Sequence, residues 1–422
     1  MEKLIINGPC RLKGEIAVKG SKNAALPILA ATLLASGKFT ITNVPMITDI
    51  ANLLSILEDL GAKVKFEKNI CEIDTTNVNS FEPDASKVRH IRASILLLGP
   101  LLARFKKVKL AHPGGCFIGA RPVGTHFDAL TELGAKIVED DSNYCLEVNR
   151  LVGKKIVLSE ISVTATENVI MAAALADGTT ELRLAATEPH VVDLCNFMIA
   201  MGAKISGVGT HNLIIKGVKR LKPVKYAICY DQIEAGTFAI AAAASRGTLT
   251  IKGFVADDQD ILIKTLRAAN VQIEVINKTT AIIKPSTSYR ALAKIRTDIY
   301  PNFPSDLQAP MGVLMTQADG TSTIFETMFE GRLNYLNELN KMGADCVIKN
   351  AHEATITGPT PLFGTTIESF DLRAGATLLI ASFIAEGEST IEKAEIIDRG
   401  YENIDERLNA VGAKIRRISV TE

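Results

Sequence analysis

One phrase recurs six times along this chain, and that periodicity restricts the possible folds more than any other property. The phrase is a turn glycine followed by a strand, Gly-x-x-x-apolar, at 37–41, 178–182, 247–251, 320–324 and 387–391, with a degenerate copy opened by Lys106 at 106–110. The markers 37, 106, 178, 247, 320 and 387 lie 69, 72, 69, 73 and 67 residues apart. A second marker, Gly-Ala, closes an apolar helix after each one at Gly61, Gly134, Gly202, Gly343 and Gly412; in the fourth copy it is eroded to Asn270-Val271. Repetition at a fixed period marks one supersecondary unit whose apolar face its neighbours bury. At 422 residues the chain exceeds what one core supports, so six units divide into two domains of three.

The fifth copy shows the unit. A helix opens at Asp306, runs through Met311, Val313, Leu314 and Met315, and ends by Gly320, glycine being the common helix stop. A β-rich strand follows at 321–325, a second helix at 334–342, then strands at 346–348 and 354–357. The first helices of the other copies, 24–35, 170–176, 238–244 and 374–385, are apolar on most sides. Helices of that kind are buried, which predicts an α/β fold with strands outside and helices inside.

Phase sharpens the reading. Fourteen residues before each marker stand Asn23, Arg92, Thr164, Ile233, Asp306 and Arg373, five of them polar where apolar helices begin. Helix amino ends carry unpaired N–H groups and attract anions. N-capping alone accounts for Asn23, Thr164 and Asp306. It does not account for two arginines, which need a neutralising anion beside a positive helix end.

The second copy breaks the pattern. Its two markers are 28 residues apart, against 23 to 25 elsewhere, and the extra length falls in His112-Pro113-Gly114-Gly115-Cys116-Phe117-Ile118-Gly119-Ala120-Arg121-Pro122. Glycines and prolines around one cysteine and one arginine predict a mobile surface loop with reactive groups. A thiol near Arg121 and His112 has its thiolate stabilised; the alternative is a solvent loop with an idle thiol.

Composition narrows the classes. Forty-seven basic and forty-seven acidic residues cancel, which argues against bulk nucleic-acid or membrane-surface binding. Seven scattered cysteines without a Cys-x-x-Cys pair fit a reducing compartment and neither a disulfide frame nor a zinc site. The apolar run at 4–6 is too short for a signal peptide. The longest one, 93–102, is interrupted by Gly99-Pro100 and falls far below membrane-spanning length. The expectation is a cytoplasmic monomer acting on small molecules, with no nucleic acid, membrane, metal or cofactor.

These residues resemble the enolpyruvyl transferase family, and within it the UDP-N-acetylglucosamine 1-carboxyvinyltransferases, along the whole chain. The resemblance rests on Lys19-Gly20-Ser21-Lys22-Asn23-Ala24-Ala25, Arg92-Ala93-Ser94, Pro113-Gly114-Gly115-Cys116 with Gly119-Ala120-Arg121-Pro122, Phe303-Pro304-Ser305-Asp306-Leu307-Gln308-Ala309, Asp371-Leu372-Arg373-Ala374 and Asp398-Arg399-Gly400-Tyr401-Glu402. It implies two inside-out α/β barrel domains of three repeated units each, with the active site in the inter-domain cleft. Residues 22–230 would form the domain with the catalytic loop (112–122) and the nucleotide contacts. Residues 1–21 and 231–422 would form the other, with the base and part of the anion clamp.

The implied reaction moves the enolpyruvyl group of phosphoenolpyruvate to the 3-hydroxyl of UDP-N-acetylglucosamine and releases phosphate, the first committed step of peptidoglycan synthesis. By resemblance the catalytic residues are Cys116 as acid, Asp306 as base, Lys22 and Arg399. Phosphoenolpyruvate would be held by Lys22, Asn23, Arg121, Arg332, Arg373 and Arg399. UDP-N-acetylglucosamine would meet Asn23, Arg92, Arg121, Pro122, Val123, Gly124, Thr125, Ser162, Val163, Thr164, Asp306 and Met328. Many members carry other residues where Gly124, Glu160, Gln232 and Gly331 stand here, which affects the uracil and sugar contacts. A phosphonate epoxide such as fosfomycin is expected to alkylate Cys116. The competing readings are a 5-enolpyruvylshikimate-3-phosphate synthase-type transferase, a non-catalytic uridine-nucleotide-binding regulatory paralogue, and a plain repeat scaffold.

Overall fold

The computed structural model describes residues 2–114, 119, 122–138, 140 and 142–419. They form two compact units, an N-terminal one of residues 20–114, 122–138, 140 and 142–229 and a C-terminal one of residues 2–19, 119 and 230–419. Five of the six core helices begin within one residue of the phase position, and in the second copy a 3₁₀ turn begins there, ahead of the helix. α1 is Lys22–Ala31, α2 is Leu98–Phe105 preceded by a 3₁₀ turn at Arg92–Leu97, and α3 is Val163–Ala173. α4 is Gln232–Ala244, α5 is Ser305–Met315 and α6 is Leu372–Ile384.

The turn markers work through backbone conformation. Gly178, Gly320 and Gly387 have φ of 89°, 108° and 93°, a region that side chains avoid. The degenerate copy keeps that geometry without glycine: Lys106 adopts φ 62° at the end of α2. Asn270 at φ 64° does the same for the eroded Gly-Ala marker, asparagine being the residue that best tolerates the left-handed region.

In each unit the helices lie inside. α4 packs on α5 and α6, and α5 packs on α6; in the N-terminal unit α2 packs on α3, and the Arg92–Leu97 turn packs on α1 and α3. Small residues permit the approach: a Cβ at Gly236 would stand 2.5 Å from Leu307 Cδ1. The core helices α2 to α6 each back onto the sheet of their own copy, whose strands alternate buried and outward-facing side chains, as in Leu249 and Ile251 against Thr248 and Lys252.

Each unit has three sheets built on one plan, in which the strand after the turn marker pairs antiparallel with a strand of its own copy in five copies and parallel with a linking strand in five. Distant segments supply some of these partners. Lys225–Ala227 runs parallel to Lys38–Thr42, and Lys13–Ala17 parallel to Thr248–Lys252. Among the described residues the sixth copy has no middle strand of its own, and Glu2–Gly8 takes the place, with Leu4 opposite both Ile391 and Arg417. Both chain ends therefore meet in one sheet.

The first turns of the core helices correct one expectation. In four copies the cap lies two residues before the phase position: Ser21 accepts from Ala24 N, Ser162 from Ala165 N, Asp231 from Ile233 N and Glu234 N, and Asp371 from Arg373 N and Ala374 N. Asn23, Thr164 and Asp306 are not the capping residues. On α1 and α5 they are the sole residues not buried, Asn23 on one and Asp306 on the other. Capping does not explain their polarity.

Candidate active site

In the C-terminal unit the amino ends of α5 and α6 build a dense ionic cluster. Asp306 Oδ1 lies 2.6 Å from Arg332 Nη2, and Asp306 Oδ2 lies 3.1 Å from Arg373 Nε. Arg332 Nη1 also reaches Asp371 Oδ1 at 3.7 Å, the carboxylate that caps α6. Both guanidiniums are buried, whereas the Asp306 side chain is 26% exposed, so the carboxylate is the part of the cluster that solvent reaches. Burial alone lowers the Arg373 pKa, yet Tyr401, Asp306 and Asp231 outweigh it and raise it. The anion required beside a helix-start arginine is thus a carboxylate of the chain itself, at least for Arg373. Ser305 Oγ accepts from Arg332 Nε at 3.3 Å and donates to Glu326 Oε2 at 2.9 Å, and the other oxygen of Glu326 accepts from Met328 N at 2.8 Å. Met328 is therefore tied to the same cluster through the backbone.

Arg399 ends a 3₁₀ turn, Ala394–Arg399. Its neighbour Asp398 is gripped by Arg417 of the last strand at 2.7 and 2.9 Å, and Arg417 also reaches Asp405 and Glu2. The segment carrying Arg399 is thereby anchored to both chain ends.

In the N-terminal unit Lys22, the first residue of α1, is buried with its Nζ 2.7 Å from Asp49 Oδ2. Arg92 is half-buried, and desolvation lowers its pKa. The amino ends of α3 and of the helix Gly124–Glu132 are joined: His126 Nε2 lies 2.8 Å from Thr164 Oγ1, and Thr125 Oγ1 lies 2.9 Å from Ser159 Oγ and 3.2 Å from Glu160 Oε1. Burial lowers the His126 pKa to about 4, so the ring is neutral. Ser162 caps α3 and Val163 begins it, while Pro122 and Gly124 are exposed and Val123 is half-buried. Where the expected loop begins, the His112 ring packs on Tyr144 with centroids 4.4 Å apart. Cys116 and Arg121 lie outside the described residues.

Sequence reasoning thus identified Asp306, Arg332 and Arg373, which the structure brings together, and Lys22 at a helix start. It passed over Asp49, His126, Glu326 and the partners of Asp371 and Tyr401. The last two stand in motifs that were visible; Asp49 carries no periodic signal.

A sheet-covered helical core in each unit, with charged groups gathered at the helix amino ends, is the architecture of an enolpyruvyl transferase. The chain belongs to that family: the family model described as EPSP synthase (3-phosphoshikimate 1-carboxyvinyltransferase) matches residues 6–408. It is 43% identical over 419 residues to the UDP-N-acetylglucosamine 1-carboxyvinyltransferase of Thermodesulfovibrio yellowstonii, covering 99% of this chain and 100% of that one. The enzyme of the same name from Saccharophagus degradans is 44% identical over 421 residues, with the same coverage. Among solved structures, the enolpyruvyl transferase NikO from Streptomyces tendae superposes with a TM-score of 0.90 at 24% identity, covering 100% of this chain and 99% of that one. An EPSP synthase from Acinetobacter baumannii gives 0.78 at 18%, with 100% of both chains covered. These two likenesses establish the inside-out α/β fold.

Proposed function

We propose that this chain transfers the enolpyruvyl group of phosphoenolpyruvate to the 3-hydroxyl of UDP-N-acetylglucosamine, releasing phosphate, as a cytoplasmic monomer serving peptidoglycan synthesis. The observation that carries the reading is the Asp306 carboxylate, held by two buried guanidiniums at 2.6 and 3.1 Å in a chain whose full-length relatives bear that activity in their names.

Three tasks follow from the chemistry. A small, highly charged anion needs cations, and Lys22, Arg121 and Arg399 supply them; arginine suits forked contacts with carboxylate and phosphate. The enol methylene carbon needs a proton so that C2 becomes electrophilic, and Cys116 is the donor. The sugar 3-hydroxyl needs a base as it attacks C2, and Asp306 takes its proton. Loss of a proton from the new methyl group and rupture of the C2–O bond to phosphorus then restore the enol ether and free phosphate. Arg332 and Arg373 act mainly by fixing Asp306, with their charge available to the phosphoenolpyruvate beside it. Asn23, Arg92, Ser162, Val163, Thr164, Met328 and the segment 121–125 receive the nucleotide sugar. In domain terms, residues 22–230 contribute the acid loop and nucleotide contacts, and residues 1–21 with 231–422 contribute the base.

Phosphate release from phosphoenolpyruvate with UDP-N-acetylglucosamine, compared with shikimate 3-phosphate, tests the reading. Turnover with the second acceptor alone would replace it by the sister reaction; turnover with neither would leave the regulatory paralogue. Cys116→Ser is expected to abolish release and Cys145→Ser to preserve it. Incubation with fosfomycin should leave a mass adduct on the Cys116 peptide.

A further inference from the structure

Tyr401 has a place in the resemblance motif but no role in the reaction as derived. It is 1% exposed, and a buried phenol hydroxyl must find partners. Here they are Arg373 Nη1 at 2.9 Å and Thr237 Oγ1 at 3.0 Å. The direction of each bond follows from counting protons. Thr237 Oγ1 gives its only proton to Ile233 O at 2.8 Å, so it accepts from Tyr401. Tyr401 has then spent its own proton and accepts from Arg373. A one-way chain results, from the Arg373 guanidinium through the Tyr401 and Thr237 hydroxyls to a carbonyl of the first turn of α4. Burial raises the Tyr401 pKa, which keeps the phenol neutral and able to donate.

The same guanidinium donates through Nε to Asp306 Oδ2 at 3.1 Å, and its Cζ lies 5.3 Å from the centre of the Tyr401 ring. It is pinned at two nitrogens, with the phenol on one side and the carboxylate on the other. Without the hydroxyl, a buried N–H loses its acceptor and the group can turn in its own plane, away from Asp306. We propose that the Tyr401 hydroxyl is a positioning group that aims Arg373 at Asp306 and thereby sets the orientation of the base. The assignment rests on Asp306 being the base of the proposed reaction, and one of its tests does not depend on turnover.

The test uses Tyr401→Phe and Thr237→Val in the full chain. Tyr401→Phe keeps the ring and removes one oxygen. The expected result is a kcat lower by about tenfold, KM for both substrates within about twofold, an acid limb of the kcat–pH profile that moves, and an unfolding temperature lower by only a few degrees, the cost of the buried N–H left without its acceptor. Thr237→Val should act in the same direction, and the double variant should be no worse than Tyr401→Phe alone, as for members of one chain. Independently of activity, the Arg373 Nε–H resonance should exchange with solvent faster in Tyr401→Phe than in wild type. Wild-type kcat and pH profile in an active enzyme, additive losses, or unchanged Arg373 exchange would each overturn the proposal. A wild-type protein without phosphate release sinks the functional reading instead, and the exchange measurement still decides whether Tyr401 positions Arg373.

Discussion

Replacing Glu167 by Gln should make the protein more stable at neutral pH, and the gain should grow with pH. Glu167 sits on α3 with 1% of its surface exposed, and its Oε1 has no hydrogen-bond partner. Desolvation raises its pKa well above 4.5, and the charge of Glu188 raises it further. The buried Cys195 thiol, pushed up to about 12 by desolvation and then by Glu167, faces the same carboxyl. Below pH 4.5 the acid is protonated in both folded and unfolded chains and contributes no pH dependence. Above 4.5 the unfolded chain ionises while the folded one holds its proton, so stability falls by about 1.4 kcal/mol per pH unit until the folded pKa is reached. Gln has nearly the shape of the neutral acid and cannot ionise, so the variant escapes this loss. For a unit of about 200 residues each kcal/mol moves Tm by roughly 2–4 °C. Urea unfolding of both proteins from pH 4.5 to 7 is the assay, with divergence expected as pH rises. Parallel curves, or a variant uniformly less stable, would refute the picture of a neutral buried acid.

Two further outcomes follow from buried polar groups in the N-terminal unit. Asn168 accepts from Gly99 N at 2.6 Å and donates to Ile95 O at 3.1 Å and Thr164 O at 3.0 Å; Asn168→Leu leaves these groups unsatisfied and should cost about 2 kcal/mol or more in urea unfolding. His126, at about 4 against 6.5 in an open chain, should show no ring titration by NMR between pH 5.5 and 8. Stability should accordingly decline as pH falls from 6.5 towards 4, a loss absent from His126→Gln.

The starts of the core helices, their burial and the strands after each marker were legible because local rules generate them. A left-handed residue ends a helix whether it is Lys106 or Asn270, whereas Gly320 lies in the strand Ala318–Phe325 after its helix has stopped at Met315; an apolar, Ala-rich segment has nowhere to go but inside. Asp306 stood out for the same reason, a polar residue at a helix start that otherwise excludes polarity. The burial of Arg332, only 6% exposed, and the pairing of Lys22 with Asp49 had no comparable trace. Each depends on side chains brought together by packing, across 26 or 27 positions of sequence.

By itself, then, the sequence determined the six-fold repeat, the order of elements within it and the chemical types of side chain at the helix starts. The tertiary structure decided that Glu2–Gly8 completes the sixth sheet opposite Ile391, that capping falls to Ser21, Ser162, Asp231 and Asp371, and that the guanidiniums of Arg332 and Arg373 both grip Asp306, with the Tyr401 phenol behind Arg373. The division has a physical cause. Backbone conformation and burial preference act over a few residues and leave periodic marks, whereas strand partners and ion pairs are selected among distant segments by shape and charge once the cores have closed.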